Sequence, residues 1–166
     1  MQTSNTELVN AFKAGMRRLT STVALITTSE EGVPFGMAVT AVCSVGINPP
    51  SLLISVAHTA SMHGPVTRQR RFCVNLLNET HAEMVGAFSG KLKGAKRFEL
   101  GNWTYDASGV PHLADAQAVF TCETAQETEH AEHTVIIGKV VDVKTQEPIA
   151  PLLYENGHLA RAKVLQ

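Results

Sequence analysis

The feature that most limits the fold is the close succession of four apolar runs between residues 22 and 78. "TVALITTS", "GMAVTAVCSVG", "PSLLISVA" and "FCVNLLN" are each rich in Val, Thr or Ile and bounded by Gly, Pro or Asn. A parallel pair of strands needs a crossover of a dozen residues or more, usually a helix, and the spacing between neighbours here is too short for one. The sheet is therefore expected to be antiparallel.

The flanking segments fill in the rest. Asn5 to Leu19 places Leu8, Phe12, Met16 and Leu19 at helical spacing, with Thr3, Ser4 or Asn5 available as N-cap, and reads as one amphipathic helix packed on the strands after it. Ala60 to Arg70 reads as a short helix opened by Ser61. Glu79 to Gly90 reads as another, with Met84, Val85 and Phe88 on one face. Strand character returns in "AQAVFTCETAQETE" and "HTVIIGKVVDVKT", separated by a charged tip from Glu127 to Glu132, and "APLLYENGHLA" closes with a tight hairpin at Asn156-Gly157. Six or seven strands with few long helices suit a closed or nearly closed antiparallel barrel, which removes exposed sheet edges. With 166 residues, no repeat and no linker, the whole chain 1–166 reads as a single domain.

Charge and cysteines narrow the function. Fourteen basic against fifteen acidic residues leave a formal charge of -1, so no global field draws nucleic acid or an anionic membrane. The clusters at 68–71 and 91–97 are short enough to be solvated faces or local anion contacts. Cys43, Cys73 and Cys122 are odd in number and lie inside apolar runs, which reads as reduced, mostly buried thiols in a cytoplasmic protein. No run reaches the length of a membrane span. Phosphate-loop, Rossmann, zinc-protease and nucleophile-elbow motifs are all missing, and the seven histidines lack metal-ligand spacing, so no metal is expected.

The stretch Gly36 to Ser55 does not look like ordinary core. Ala38, Thr40, Ala41, Cys43 and Ser44 stand where Leu or Ile would pack better. Such a strand is either a small, polar edge or a surface kept low for a ligand. Trp103 and Tyr105 read as a plug for the barrel end or for a subunit interface.

Five separated segments in fixed order, "STVALITTSEEGVPFGMAVTAVCSVGINPPSLLISVAHTASM", "FCVNLL", "FSG", "EHTVIIGKVVDV" and "PLLYENG", resemble the short-chain flavin reductases that form the small component of two-component flavin-dependent monooxygenases. The resemblance runs from about Phe12 to His158. It implies a split β-barrel, Greek-key like and usually homodimeric, that uses NADH or NADPH to reduce FMN or FAD and releases the reduced flavin to a separate monooxygenase. By matching segments, Ala38, Val39, Thr40, Ala41, Val42, Cys43, Ser44 and Val45 would line the flavin. Ser55, Val56, Ser61, Met62 and His63 would lie near its ribityl and phosphate end, with Phe88 and Ser89 as part of the same wall and Arg97 as a clamp. The nicotinamide would lie near Gly32 to Gly36, His133, Tyr154, Asn156 and Gly157. The loop "AHTAS" departs from the polar or basic side chains that commonly meet the flavin phosphate in such proteins.

The chemistry fits those residue types. Hydride transfer requires the nicotinamide C4 and flavin N5 at near contact, so small side chains admit both rings. Backbone groups of residues 40–44 would bond the pyrimidine edge, with the Thr40 or Ser44 hydroxyl reaching O4 or N5. Ser61 at a helix start suits a phosphate, though a plain N-cap would place it there too. His133 would bond the nicotinamide carboxamide or supply a proton, as against being a strand-initiating surface histidine. Two other readings share the fold: a flavin- or haem-binding split barrel without turnover, and a flavin-retaining oxidase of the pyridoxine-phosphate-oxidase type.

Overall fold

The computed structural model describes residues 5–165. The chain begins with helix α1 (Asn5–Met16), followed by β1 (Ser21–Thr22), β2 (Ala24–Glu30), β3 (Val33–Val39), β4 (Val42–Ile47) and β5 (Pro50–Ala57). Helix α2 (His63–Gln69) leads into β6 (Arg71–Leu76), and α3 (Ala82–Gly86) sits among short 3-10 and π turns. Then come β7 (Trp103–Tyr105), β8 (Pro111–Leu113), β9 (Ala118–His130), β10 (His133–Thr145), β11 (Leu152–Glu155) and β12 (His158–Arg161).

Seven strands form one antiparallel sheet in the order β3-β2-β6-β9-β10-β5-β4, with smaller sheets β1-β11-β12 and β7-β8 beside it. The two strands at the ends of that order, β3 and β4, are consecutive in the chain and joined only through Thr40-Ala41. The sheet thus curls into a barrel whose seam lies inside the run "GMAVTAVCSVG". That run was expected to be one strand. It breaks because Val42 N–H turns back onto the Thr40 carbonyl (3.0 Å), which takes the chain from one edge of the sheet to the other.

The strand pattern sorts side chains to two cores. On β5, Leu52, Ile54 and Val56 point inward while Leu53, Ser55 and Ala57 face out. Ile26, Phe72, Val74, Cys122 and Ile136 join them inside the barrel, and α2 stops one end with Met62 and Val66, all fully buried. Phe72 crosses β10 where Gly138 leaves room: a Cβ there would stand 2.5 Å from its Cζ. The outer core packs Leu25, Cys73 and Val119 under Met84, Phe88 and Leu113. Buried Asn75 ties the layers, donating to the Leu25 carbonyl (3.0 Å) and accepting from Leu113 N–H (2.8 Å).

Several expectations need correction. Thr3 and Ser4 lie outside the described residues. Helix α1 forms, yet none of its residues is buried, so it does not pack on the barrel as expected. The second helix starts at His63, two residues after Ser61, because Met62 is the cap residue and makes no side-chain bond. The Glu79 to Gly90 segment is three short turns, opened by the Asn78 capping box and ended by Gly90 at φ 111°, although Met84 and Phe88 are buried as the pattern implied. Strands β9 and β10 run through the charged tip as a two-stranded ribbon, with Glu129 and Glu132 exposed and Glu127 half-buried beside Arg70. Cys73 and Cys122 are buried, but Cys43 is exposed because β4 is an edge strand. The NG hairpin holds, with Asn156 and Gly157 both at positive φ (48° and 87°), the backbone a two-residue hairpin turn demands.

Candidate functional site

A groove of about 610 Å³ opens where β3, the loop after β5 and the segment following α3 converge. Met37 and Ala38 of β3 form its floor, Thr59, Ala60 and Ser61 one wall, and Phe88, Ser89 and Gly90 the other, with Lys93, Gly94 and Arg97 at the rim. The floor is low because of what lies beneath it. Gly36 is buried under Phe88, so close that a Cβ would stand 2.8 Å from the ring's Cε1.

Phe88 is itself fixed. Its ring meets Phe98 edge to face (centroids 5.2 Å) and tilts against Trp103 (5.7 Å), whose Nε1–H donates to the Leu100 carbonyl (2.6 Å). Such aromatic contacts contribute about 0.5–1.5 kcal/mol beyond burial, so this wall is rigid. Trp103 packs on the outer core behind this wall and does not plug the barrel end, and Tyr105 points to solvent.

Arg97 joins three segments of the groove. Its Nε–H donates to the Leu92 carbonyl (2.8 Å), and Nη1 donates to the Gly36 carbonyl (2.6 Å) and approaches Ser61 Oγ (3.5 Å). A guanidinium held this way presents fixed positive charge at one end of an otherwise apolar slot. With Lys93 and the Ser61 hydroxyl it makes an anion-competent corner, while the floor and aromatic wall suit a flat ring. The donor set therefore fits a flavin with its phosphate at the Arg97 end.

Two further openings flank the barrel seam. A crevice of about 450 Å³ separates Phe12, Met16 and Leu19 from Thr40 and Ala41, with Tyr154, Asn156 and Gly157 along its side. Next to it the barrel mouth is an apolar recess of about 350 Å³ lined by Val42, Ser44, Leu52, Phe120, Val140 and Val143.

The sequence-derived site is thus partly assembled and partly dispersed. Ala38, Ser61, Phe88, Ser89 and Arg97 meet in the groove, with Gly36 at its base. Thr40 and Ala41 meet Tyr154, Asn156 and Gly157 in the crevice instead, and Val42 and Ser44 line the mouth. Cys43 and Val45 face solvent from β4, and Val39 turns toward the inner core. Val56 and Met62 are wholly buried in that core, where inward alternation and the α2 plug put them, so they touch no ligand. Ser55 lies on the outward face of β5 opposite Val135. His63 is committed to the barrel, its Nε2 2.8 Å from Thr134 Oγ1 and its ring edge-on to His58. Gly32 sits at the tip of the β2-β3 hairpin, at the opposite end of β2 from the Val39 end, about 20 Å away at a strand's rise per residue. It is not part of one site with Tyr154 and Gly157.

His133 opens β10 opposite Ala57, two residues before Thr59 of the groove wall, with its Nδ1 3.9 Å from Glu132 Oε1. Met37, Thr59, Ala60, Gly90, Lys93 and Gly94 were not singled out from the sequence. Lys93 lies in the basic cluster that a solvated face explains equally well, and the positive φ of Gly90 and Gly94 (111° and 58°) is the only local hint of the strap they form.

Comparison with known proteins agrees with this geometry. A family model described as "Flavin reductase like domain" matches residues 16–163. The reductase component of an FADH(2)-dependent resorcinol hydroxylase from Rhizobium sp. is 37% identical, covering 91% of this chain and 86% of its own. An FMN reductase (NADH) RutF from Methylorubrum populi is 36% identical, covering 89% and 73%. Among solved structures, a putative flavin reductase from Haemophilus somnus superposes with a TM-score of 0.89 at 31% identity, covering 93% of this chain and 99% of its own. With the split barrel, the groove and a match over nearly its full length, the chain belongs to the flavin reductase like domain family.

Proposed function

We propose that this chain is an NAD(P)H:flavin oxidoreductase that reduces free FMN or FAD and hands the reduced flavin to a separate flavin-dependent monooxygenase. One observation carries the reading: a single groove combines a floor kept low at Gly36 and Ala38, a rigid aromatic wall and an arginine fixed at one end. The names of the relatives point the same way, one an FMN reductase using NADH and one the reductase component of a hydroxylase.

The flavin ring supplies the hydride acceptor when bound. Ala38 lets it lie flat, Phe88 bounds it, and Arg97, Lys93 and Ser61 hold its phosphate. His133, beside the Thr59 wall, bonds the nicotinamide carboxamide. The nicotinamide approaches from the seam, past Thr40, Ala41, Tyr154 and Asn156. The protein acts as a homodimer in the cytoplasm, a compartment that suits its free thiols.

The test is steady-state oxidation of NADH and of NADPH with excess free FMN or FAD, in all four combinations. Turnover with at least one pair is expected. Background rates in all four would sink the reading and leave a flavin-binding protein without turnover. Stoichiometric yellow flavin surviving gel filtration, with oxidase activity, would replace it by the flavin-retaining alternative.

A further inference from the structure

The β7-β8 hairpin and the end of β10 enclose a recess of about 240 Å³ that shares no residue with the flavin groove. Leu113, Ala116 and Val119 are its buried floor, and Thr104, Lys144 and Gln146 its exposed rim. His112, only 4% exposed, lines it as well. A register shift in β10 between Val140 and Asp142 re-aims the strand end that carries Lys144, which lies opposite Val119.

The polar groups of this recess are out of balance. Lys144 Nζ and Thr104 Oγ1 each stand 2.9 Å from His112 Nε2. An ammonium can only donate, so Nε2 accepts and the ring is neutral, with its proton on Nδ1. Burial and the Lys144 charge both hold His112 below the ordinary histidine value, in keeping with a neutral ring. Its Nδ1 is buried beside the Val110 carbonyl without a bond of good geometry. Nε2 has one lone pair. Once Lys144 takes it, the remaining ammonium N–H groups have no acceptor among the described residues, and the Thr104 hydroxyl is left with the His112 carbonyl at 3.4 Å. Nor does a carboxylate balance the charge: Asp106 and Asp142 act on His112, but Asp106 is bound to Arg71 (2.9 Å) and neither is within ion-pair distance of Lys144. Unfilled donors above an apolar floor are complementary to an anion with an apolar body. An inorganic ion would meet the donors and leave Leu113, Ala116 and Val119 uncovered.

We propose that this recess binds a small organic carboxylate, its oxygens on Lys144 and Thr104 and its apolar body on Leu113, Ala116 and Val119. The site goes beyond the reductase reading and does not depend on it. It bears on the same hairpin that braces the groove, since Thr104 follows Trp103, whose ring leans on Phe88.

The test is calorimetric titration of flavin-free protein with cyclohexanecarboxylate, whose puckered ring does not suit the flat flavin groove. A Kd on the order of 1 mM or tighter is expected. Lys144→Met and Thr104→Val, both at exposed positions, should weaken binding by about tenfold and about threefold or more. Arg97→Ala, which removes the anion corner of the flavin groove, should bind like wild type. Cyclohexanecarboxamide, a body without charge, and inorganic phosphate, a charge without a body, should each bind about tenfold more weakly or worse. No saturable binding to the wild type, full binding in Lys144→Met or Thr104→Val, loss of binding in Arg97→Ala, or either analogue bound as tightly as the carboxylate would each overturn the proposal.

Discussion

Replacing Gly36 by alanine tests how the groove floor is built. A Cβ at this position would lie 2.8 Å from Phe88 Cε1, 3.1 Å from Cδ1 and 3.2 Å from the Ile26 carbonyl oxygen. Carbon pairs rest at about 3.5–4.0 Å, so the ring contact is short by about 0.7 Å or more. The Ile26 oxygen belongs to the β2 ladder and is not free to retreat, and Phe88 is held by Phe98 and Trp103. The ring must therefore move into the groove or strand β3 must shift. Overpacking of this kind costs about 1–3 kcal/mol. For a domain of this length each kcal/mol lowers Tm by about 2–4 °C, so Gly36→Ala should melt roughly 2–12 °C below wild type. Because the displaced ring narrows the slot, KM for flavin should rise while KM for NADH changes little. Calorimetry and flavin titration read both effects. The decisive control is Phe88→Leu, which removes the clashing ring edge. In that background Gly36→Ala should cost less than half as much, a coupling expected only between residues in contact. A Gly36→Ala variant as stable as wild type, or an equal loss with and without the Phe88 ring, would refute this account.

The same geometry has other consequences. Arg97→Ala should raise KM for flavin at least tenfold, in keeping with about 1.5–3 kcal/mol for a hydrogen bond to a charged group, and Arg97→Lys should restore little, since one ammonium cannot span the Leu92, Gly36 and Ser61 oxygens; an unchanged flavin KM in Arg97→Ala would count against the phosphate corner. His133→Ala should raise KM for the nicotinamide more than KM for the flavin, and equal KM values for NADH in variant and wild type would remove His133 from the donor site. Burial pushes the Cys73 thiol up to about 11 and the Cys122 thiol up to about 12, so a thiol reagent at pH 8 should label one cysteine, the exposed Cys43, in native protein and three after denaturation. The unfolded chain releases those two buried protons near pH 8.5 and the folded chain only at the raised values, so stability should fall as pH climbs from about 8.5 toward 11, which denaturant titration across that window would detect.

Much of the barrel was legible because period-two apolar runs and turn chemistry are local signals. "SLLISVA" alternates in the structure as it does on paper, and Asn156-Gly157 turns the chain for the reason any such dipeptide does. What local pattern does not carry is the seam. "GMAVTAVCSVG" has no Gly or Pro at Thr40-Ala41, so nothing along the chain announces that its halves lie on opposite edges of the sheet. The site suffers from the same blindness. Val56 and Met62 stand in segments that match flavin reductases, but their side chains are fixed inward by alternation and by the α2 plug. Arg97 stands out in the sequence only as a clamp that the family resemblance implies, whereas its bonds to three backbone and hydroxyl oxygens from distant segments are visible only in three dimensions. Helix α1 was read correctly from its stripe and misplaced, because an apolar stripe says that something covers it and not what does.

The sheet order that begins with β3 and ends with β4 also determines how the barrel can yield. Every other pair of neighbours around the barrel is stitched by a ladder of amide-carbonyl rungs, and none spans β3 and β4. Widening the barrel there ruptures no ladder, while widening it anywhere else ruptures several bonds together. The molecule therefore has a built-in slit, and the amides of Thr40 and Ala41, which lie outside both flanking strands, should exchange with solvent through small openings that leave those of β6 and β9 untouched.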